Sequence, residues 1–436
     1  MKFFETSDSF LLRSSHILFS LYVISLFFTE IQLPGSLWEK TRLSDTLFIA
    51  FALASLPLVW KNREFLFRLF IDKKIRYLVI ALLLWPIINI ISSVVAQSYI
   101  SLQESVGRLF LSLACLYSFV FFTFSKYRSF QSLTYGLWGW VASIVAICAV
   151  TLYCFGLWSG DYNWCSYWEN YPYFGSIFRL EGVTASPAFF NSLLIPSFYL
   201  MVCVYKLNKS KWTLSALIFI LISSALTFSK SSLLLVPAIM YLFTFRLYER
   251  IKPILWFSSI LLFVGITHVV IIGNTKNQSL LQTNYIGKKA LYKGTNFSLY
   301  PSSYLEMKKV AVNMFSRNCL IGVGTGRYNL TLDEYKSVNQ EITSVASFDP
   351  HSSWTGTMAE NGIFGLMLIG VFSILFFFMK KELDSSSPHF IFYKWFFLMM
   401  LAESLCMDIL NLRHYWFFIA VFTAQLVHDR FRLKLS

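Results

Sequence analysis

The residue best suited to moving a proton is His351, in Pro350-His351-Ser352-Ser353-Trp354, where the longest polar stretch of the chain (residues 273–351) gives way to an apolar run. Ser352 or Ser353 supplies the N-cap oxygen, with a helix running on from Trp354. That puts His351 at the positive end of a helix, whose free N–H groups and dipole disfavour an imidazolium and attract anions. A neutral imidazole beside an anion is a usable general base. The competing account is a histidine that only caps or packs at an interface. Two cations stand out with it. Lys230, flanked by serines in Ser229-Lys230-Ser231-Ser232 between two closely spaced apolar runs, costs free energy unless it meets an anion or a wet cavity, or snorkels to the headgroups. Arg179, in Phe178-Arg179-Leu180-Glu181-Gly182, adds a second positive charge or pairs with Glu181 or Glu169.

The elements that position these residues follow from composition. Of the 436 residues, 56% are hydrophobic, 19% aromatic and only 14% charged, with a mean hydropathy of +0.57. Such a chain is excluded from the ordinary soluble globules and reads as an all-α polytopic membrane protein. The net charge of +14 does not indicate nucleic acid, because the Lys and Arg fall mainly in short clusters between apolar runs, as cytoplasmic anchors do. The seven cysteines show no metal-ligand spacing. Cys165 and Cys319 fall in outward segments where a pairing is open but not required.

Apolar runs at 16–33, 46–60, 77–96, 109–124, 132–155, 187–205, 214–228, 233–245, 253–272, 354–379, 389–408 and 415–427 predict about twelve transmembrane helices. The strongest topological signal is the cluster Lys61, Arg63, Arg68, Lys73, Lys74 and Arg76, which places the second connection and both termini in the cytoplasm. Lys126 and Arg128, Lys206 to Lys211, Arg246 to Lys252, Lys380 and Lys381, and Arg430 to Lys434 continue the alternation. The expected division is residues 1–272 with nine helices, a large outward loop domain at 273–352, and residues 353–436 with three helices. Within the loop, residues 302–315 read as an amphipathic helix carrying Lys308 and Lys309, followed by a tight turn at Gly322-Val323-Gly324-Thr325-Gly326. No strand-turn-helix unit surrounds those glycines, so they are a structural turn and not a nucleotide loop. Arg179, Lys230, the loop, Glu360, Asp408, Arg413 and His414 all come out at or near one face. For Asp408, Arg413 and His414, a cavity lining and an interfacial Asp–Arg pair are equally open. Trp164 and Trp168 are open between sugar stacking and an interfacial belt.

His351-Ser352, nine residues, then Gly362-Ile363-Phe364-Gly365 resembles the His-[Asn/Ser/Gln]-x9-Gly-x-x-Gly signature of bacterial O-antigen ligases. Ser229-Lys230-Ser231-Ser232 stands where that superfamily of O-antigen ligases and polymerases has Ser/Thr-Arg. Arg179-Leu180-Glu181-Gly182 before Ser186-Pro187 is similar to its Arg-x-x-Gly segment, and Leu320-Ile321-Gly322-Val323-Gly324 to its glycine turn. Two positions depart from the pattern. Lys230 replaces an Arg, leaving a point charge without the planar fork. Tyr304 falls where the family carries a further Arg, with Lys308 and Lys309 about one helical turn on as substitutes.

The resemblance implies an inverting, metal-independent glycosyltransferase without cofactors, multi-pass in the bacterial inner membrane. It would move a glycan from an undecaprenyl-diphosphate-linked donor to a lipid A-core acceptor on the periplasmic face. His351 is then the catalytic base, and Arg179, Lys230, Lys308 and Lys309 bind substrate. The partners are membrane lipids and these two glycolipids, with no nucleic acid. A polymerase joining repeat units on the carrier remains open, as does a lipid-linked oligosaccharide transporter.

Overall fold

A computed structural model describes residues 9–29, 31, 41–63, 73–124, 127–160, 165–171, 175–182, 184, 186–273, 290–336, 350–379 and 388–433. A backbone surrounded by hydrocarbon must satisfy its own N–H and C=O groups, so an apolar run becomes a helix. The apolar runs read from the sequence fall on helices, the first of them only as far as Ser25 where it was read to 33. In chain order these are α1 (Ser9–Ser25), α2 (Leu43–Lys61), α3 (Lys73–Val95), α4 (Tyr99–Phe124), α5 (Tyr127–Ser159), α6 (Pro187–Asn208), α7 (Lys211–Leu226), a 3-10 helix (Lys230–Leu235) continued by α8 (Val236–Phe243), and α9 (Phe245–His268). After the polar segment come α12 (Ser353–Met379), α13 (Pro388–Ser404) and α14 (Arg413–Leu433), with α10 (Ser303–Arg317) and α11 (Tyr328–Tyr335) inside that segment. Among the described residues seven helices are long and apolar enough to cross a membrane: those at Leu43–Lys61, Ile75–Val95, Tyr99–Thr123, Gly136–Ser159, Pro187–Asn208, Leu247–His268 and Ser353–Leu375. The chain is thus a helical, multi-pass membrane protein. Of the expected cytoplasmic clusters, Arg68, Lys126, Lys380, Lys381 and Lys434 lie outside the described residues, as does Trp164.

Helix α6 runs through the middle of the bundle, its Leu194, Ile195, Phe198 and Tyr199 almost wholly buried. Ser186 caps it, accepting from Phe189 N, and Pro187 sits at its first turn, where the missing N–H costs nothing. Asn191 of α6 donates to Ser231 Oγ at 2.7 Å, and Tyr199 Oη donates to Leu234 O. The 3-10 helix that begins with Lys230 is thereby tied to the bundle's centre.

Several expectations change. Two small antiparallel sheets join the helices. One is a hairpin of β1 (Cys165–Tyr171) and β2 (Gly175–Leu180); the other has three strands in the order β3 (Val269–Gly273), β5 (Phe297–Pro301), β4 (Tyr292–Lys293). The ninth apolar run, read as helical through 272, turns to strand at Val269, because the β-branched Val269-Val270-Ile271-Ile272 finds a pairing partner in Ser298 to Pro301. The eleventh run ends at Ser404, four residues early. There Asp408 caps a short 3-10 turn, Ile409–Asn411. The fourth helix starts at Tyr99, ten residues before its apolar run, because Arg108 is buried against Glu360 at 2.9 Å with Asn89 Oδ1 at 2.7 Å. Arg413 pairs bidentately with Asp45, at 2.7 Å through each nitrogen, and not with Asp408. Cys165 and Cys319 are free.

A close backbone contact ties the polar segment to the bundle. Within α12, Gly362 leaves helical geometry with φ +64 and ψ −154. A Cβ there would lie 2.4 Å from Leu320 O, and one on Gly322 would lie 2.3 Å from the Glu360 carbonyl carbon. Only glycine backbone fits this close, at dihedrals that only glycine adopts freely. The two strands of chain then exchange backbone hydrogen bonds, Val323 N to Ala359 O at 2.9 Å, Gly324 N to Glu360 O at 3.1 Å and Ile363 N to Cys319 O at 2.8 Å. Ser92 of α3 donates to both Ile321 O and Glu360 O, locking the pair to the bundle. Substituting Gly362→Ala is expected to cost about 1–3 kcal/mol from the positive φ alone, with the backbone clash adding to it. Thermal unfolding in detergent checks this; an unchanged midpoint would remove the contact from its structural role.

Candidate active site

The helix running back from Gly362 carries its N-terminus to His351. Nine to eleven residues at 1.5 Å each separate the two by roughly 15 Å. Ser352 is the N-cap, its Oγ accepting from Thr355 N at 3.3 Å, and the helix starts at Ser353. His351 itself is held at φ +46. A left-handed conformation at a non-glycine residue is maintained only where its surroundings over-determine it, and such residues concentrate at functional sites. Those surroundings are visible. Ser353 Oγ donates to Asp408 Oδ1 at 3.1 Å and accepts from Ile409 N at 2.9 Å, and Trp354 Nε1 donates to Ser404 Oγ at 2.9 Å.

Tyr304, in the first turn of α10, meets the His351 imidazole edge-on, with ring centroids 4.4 Å apart and planes 79° from parallel. The Lys230 ammonium lies 5.5 Å from the centroid of the same ring. His351 and Lys230, distant along the chain, are therefore neighbours across one aromatic side chain. Arg179, delivered by β2, donates from Nε to Thr227 O at 2.9 Å, three residues before Lys230, and the two charges oppose each other. Lys308, four residues on from Tyr304 and so on the same helix face, donates to Leu405 O and to His268 Nε2. Burial pushes the Lys308 ammonium down from its ordinary value. Lys309 lies about 100° further round the helix. It pairs with Glu306 at 2.8 Å, its side chain 56% exposed, apart from this cluster.

The His351 imidazole is pushed down to about 4, first by burial, then by the charge of Lys308, with Asp408 opposing. The neutral ring expected from the helix terminus is thus present for another leading reason. Nδ1 and Nε2 of a neutral imidazole offer one acceptor, so the cluster combines a proton acceptor with fixed cations. Among the described residues no group of three or more His, Cys, Asp or Glu is placed to hold a metal ion. Beside Ser353 an apolar cavity opens between helices, lined by Trp85, Trp354, Phe372, Phe397, Leu401 and Trp416 among others.

Glu360 belongs to the Arg108 pair behind the glycine contact and not to the cluster, and Arg413 is held by Asp45. His414 is buried with its Nε2 unpartnered. His268 was missed in the sequence: it lies inside the apolar run read as helical through 272, and the contact with Lys308 is visible only in the structure.

A family model described as O-antigen ligase matches residues 215–370. The match spans Lys230, Tyr304, Lys308, His351 and both partners of the glycine contact; Arg179 precedes it. No curated protein matches the chain.

Acid should weaken the fold through His351. Its folded value lies below the 6.5 of an unfolded histidine, so on acidification the unfolded chain takes the proton first. The stabilisation is complete above pH 6.5 and is lost as the pH falls toward 4. Thermal midpoints across that window should fall less steeply in His351→Gln than in the unaltered protein; parallel slopes would show that the imidazole is not buried in its neutral form.

Proposed function

We propose that this chain, which a family model described as O-antigen ligase matches over residues 215–370, is an inverting, metal-independent glycosyltransferase. It moves O-antigen glycan from undecaprenyl-diphosphate to lipid A-core oligosaccharide at the periplasmic face of the bacterial inner membrane. The observation that carries the reading is Tyr304, whose ring has the His351 imidazole at 4.4 Å and the Lys230 ammonium at 5.5 Å. A base and a cation in one place are what a displacement at an anomeric carbon with a phosphate leaving group requires.

In this reading an acceptor hydroxyl oxygen forms the new bond to the anomeric carbon while the bond from that carbon to the diphosphate breaks. The electron pair leaves with the undecaprenyl diphosphate, and the hydroxyl proton passes to the neutral His351. Lys230, Arg179 and Lys308 balance the charge on the departing diphosphate; Lys309, exposed and paired with Glu306, lies outside that role. Attack from the side opposite the leaving group inverts the carbon.

Purified protein, undecaprenyl-diphosphate glycan and rough lipopolysaccharide, incubated with a chelator, should yield capped lipopolysaccharide on a gel. His351→Ala should reduce transfer by about 10²- to 10⁴-fold while donor binding persists. Normal capping by that variant would overturn the assignment. Accumulation of single repeats in a deletion strain, in place of long chains on the carrier, would identify a polymerase.

A further inference from the structure

We propose that His268 is a positioning residue for the transfer: its imidazole acts as a hydrogen-bond acceptor that fixes the Lys308 ammonium within electrostatic reach of His351. The inference rests on the reading of His351 as the base.

The hydrogen bonds themselves determine the state of this imidazole. His268 Nδ1 lies 2.7 Å from Val264 O, one turn back in α9. A carbonyl only accepts, so Nδ1 carries the proton. On the other side Nε2 meets Lys308 Nζ. An ammonium only donates, so Nε2 must be bare. The opposite arrangement, an imidazolium donating to a neutral amine, would move the shared proton to the base that is weaker by about 4 pH units in water. His268 is thus neutral, with its proton on Nδ1.

Lys308 has three donors and, among the described residues, two acceptors, His268 Nε2 and Leu405 O. The two come from different elements, the end of α9 and the connection after α13. Between them they restrain a long, freely rotating side chain and leave one donor for an anion. The charge so placed acts on His351, where it opposes protonation. The backbone reinforces the arrangement: Ser302 N donates to His268 O at 2.9 Å and Ser302 Oγ to Thr267 O at 2.8 Å. The helix bearing Lys308 therefore starts from the residue that holds Lys308's side chain.

Among the described residues, the groups facing His351 include Lys308 and Tyr304 from α10 and Asp408 from the connection before α14, with Lys230 across the Tyr304 ring. Those facing His268 are Lys308 and Lys230. A merely structural His268 would leave the titration of His351 unchanged. A positioning His268 would not.

The test uses the full chain in detergent micelles with labelled histidine, following the His351 imidazole by NMR against pH, together with transfer kinetics. In His268→Leu the ammonium loses one tether, and the His351 midpoint should rise by a pH unit or more, a change of about tenfold in proton affinity. With the Lys308 charge no longer fixed beside the leaving diphosphate, the turnover number should fall about tenfold and the KM for acceptor change little. His268→Gln, which presents a carbonyl oxygen at similar reach, should restore both. An identical His351 midpoint in the unaltered protein and His268→Leu would overturn the inference. If His268→Leu does not fold, Lys308→Met reads the same coupling, and an unmoved His351 midpoint there overturns it equally. The NMR readout stands apart from the transferase reading: a shifted midpoint in a protein that transfers no glycan would reject that reading and retain the coupling.

Discussion

Two pieces of backbone, residues 318–324 and 359–363, lie against each other at a distance that no side chain could share, and the arrangement of the site depends on that contact. Gly362 breaks its helix so that the preceding carbonyls, those of Ala359 and Glu360, turn outward to accept from the glycine turn. The turn follows α10 directly, so docking it fixes where α10 lies, and with it Tyr304 and Lys308. The same helix break fixes the short segment of α12 that ends at His351. One hydrogen-bonded junction thus sets both sides of the candidate site, and the buried Arg108–Glu360 pair behind it makes sliding of the junction costly.

Around that frame the electrostatics follow from burial. The neutral His351 imidazole and the Lys230 ammonium lie against Tyr304, Arg179 acts on Lys230, and Lys308 and the Asp408 carboxylate act on His351. Like charges held together where water is limited raise the free energy of the empty site, and an anion relieves it. The same burial and the charge of Lys308 keep the His351 imidazole in its neutral form.

Much of this was legible in the sequence. Apolar runs placed the helices because hydrophobic length is a one-dimensional property. His351 was marked by its place between polar loop and apolar run, and its spacing to Gly362 by the stretch of helix that joins base to junction. What the spacing did not reveal is that the two glycine motifs are partners. Each reads as a local turn, and only their contact shows that one is the socket of the other. Arg108 escaped notice because it precedes its apolar run and looks like a loop residue, whereas Glu360, ten residues inside the next motif, is the anion that draws it into the bundle. The strand at Val269 was hidden inside an apolar run that lacks any polar break, and only the partner segment Ser298 to Pro301 distinguishes it from more helix.

By itself the sequence determined a helical membrane protein with a large polar segment before its last helices, and it singled out His351, Lys230 and Arg179 as unusual in such surroundings. Those are consequences of local composition: hydrophobic length, charge in an apolar context, and glycine spacing act over a few residues. Which lysine joins the site was decided only in three dimensions. Lys308 and Lys309 are equal in sequence, but the rotation of α10 set by the glycine junction turns one toward His268 and Leu405 and leaves the other in water with Glu306. The same holds for Arg413, whose carboxylate partner lies at the far end of the chain, in Asp45. Pairings of this kind depend on distances between helices, and no neighbouring residue along the chain carries that information.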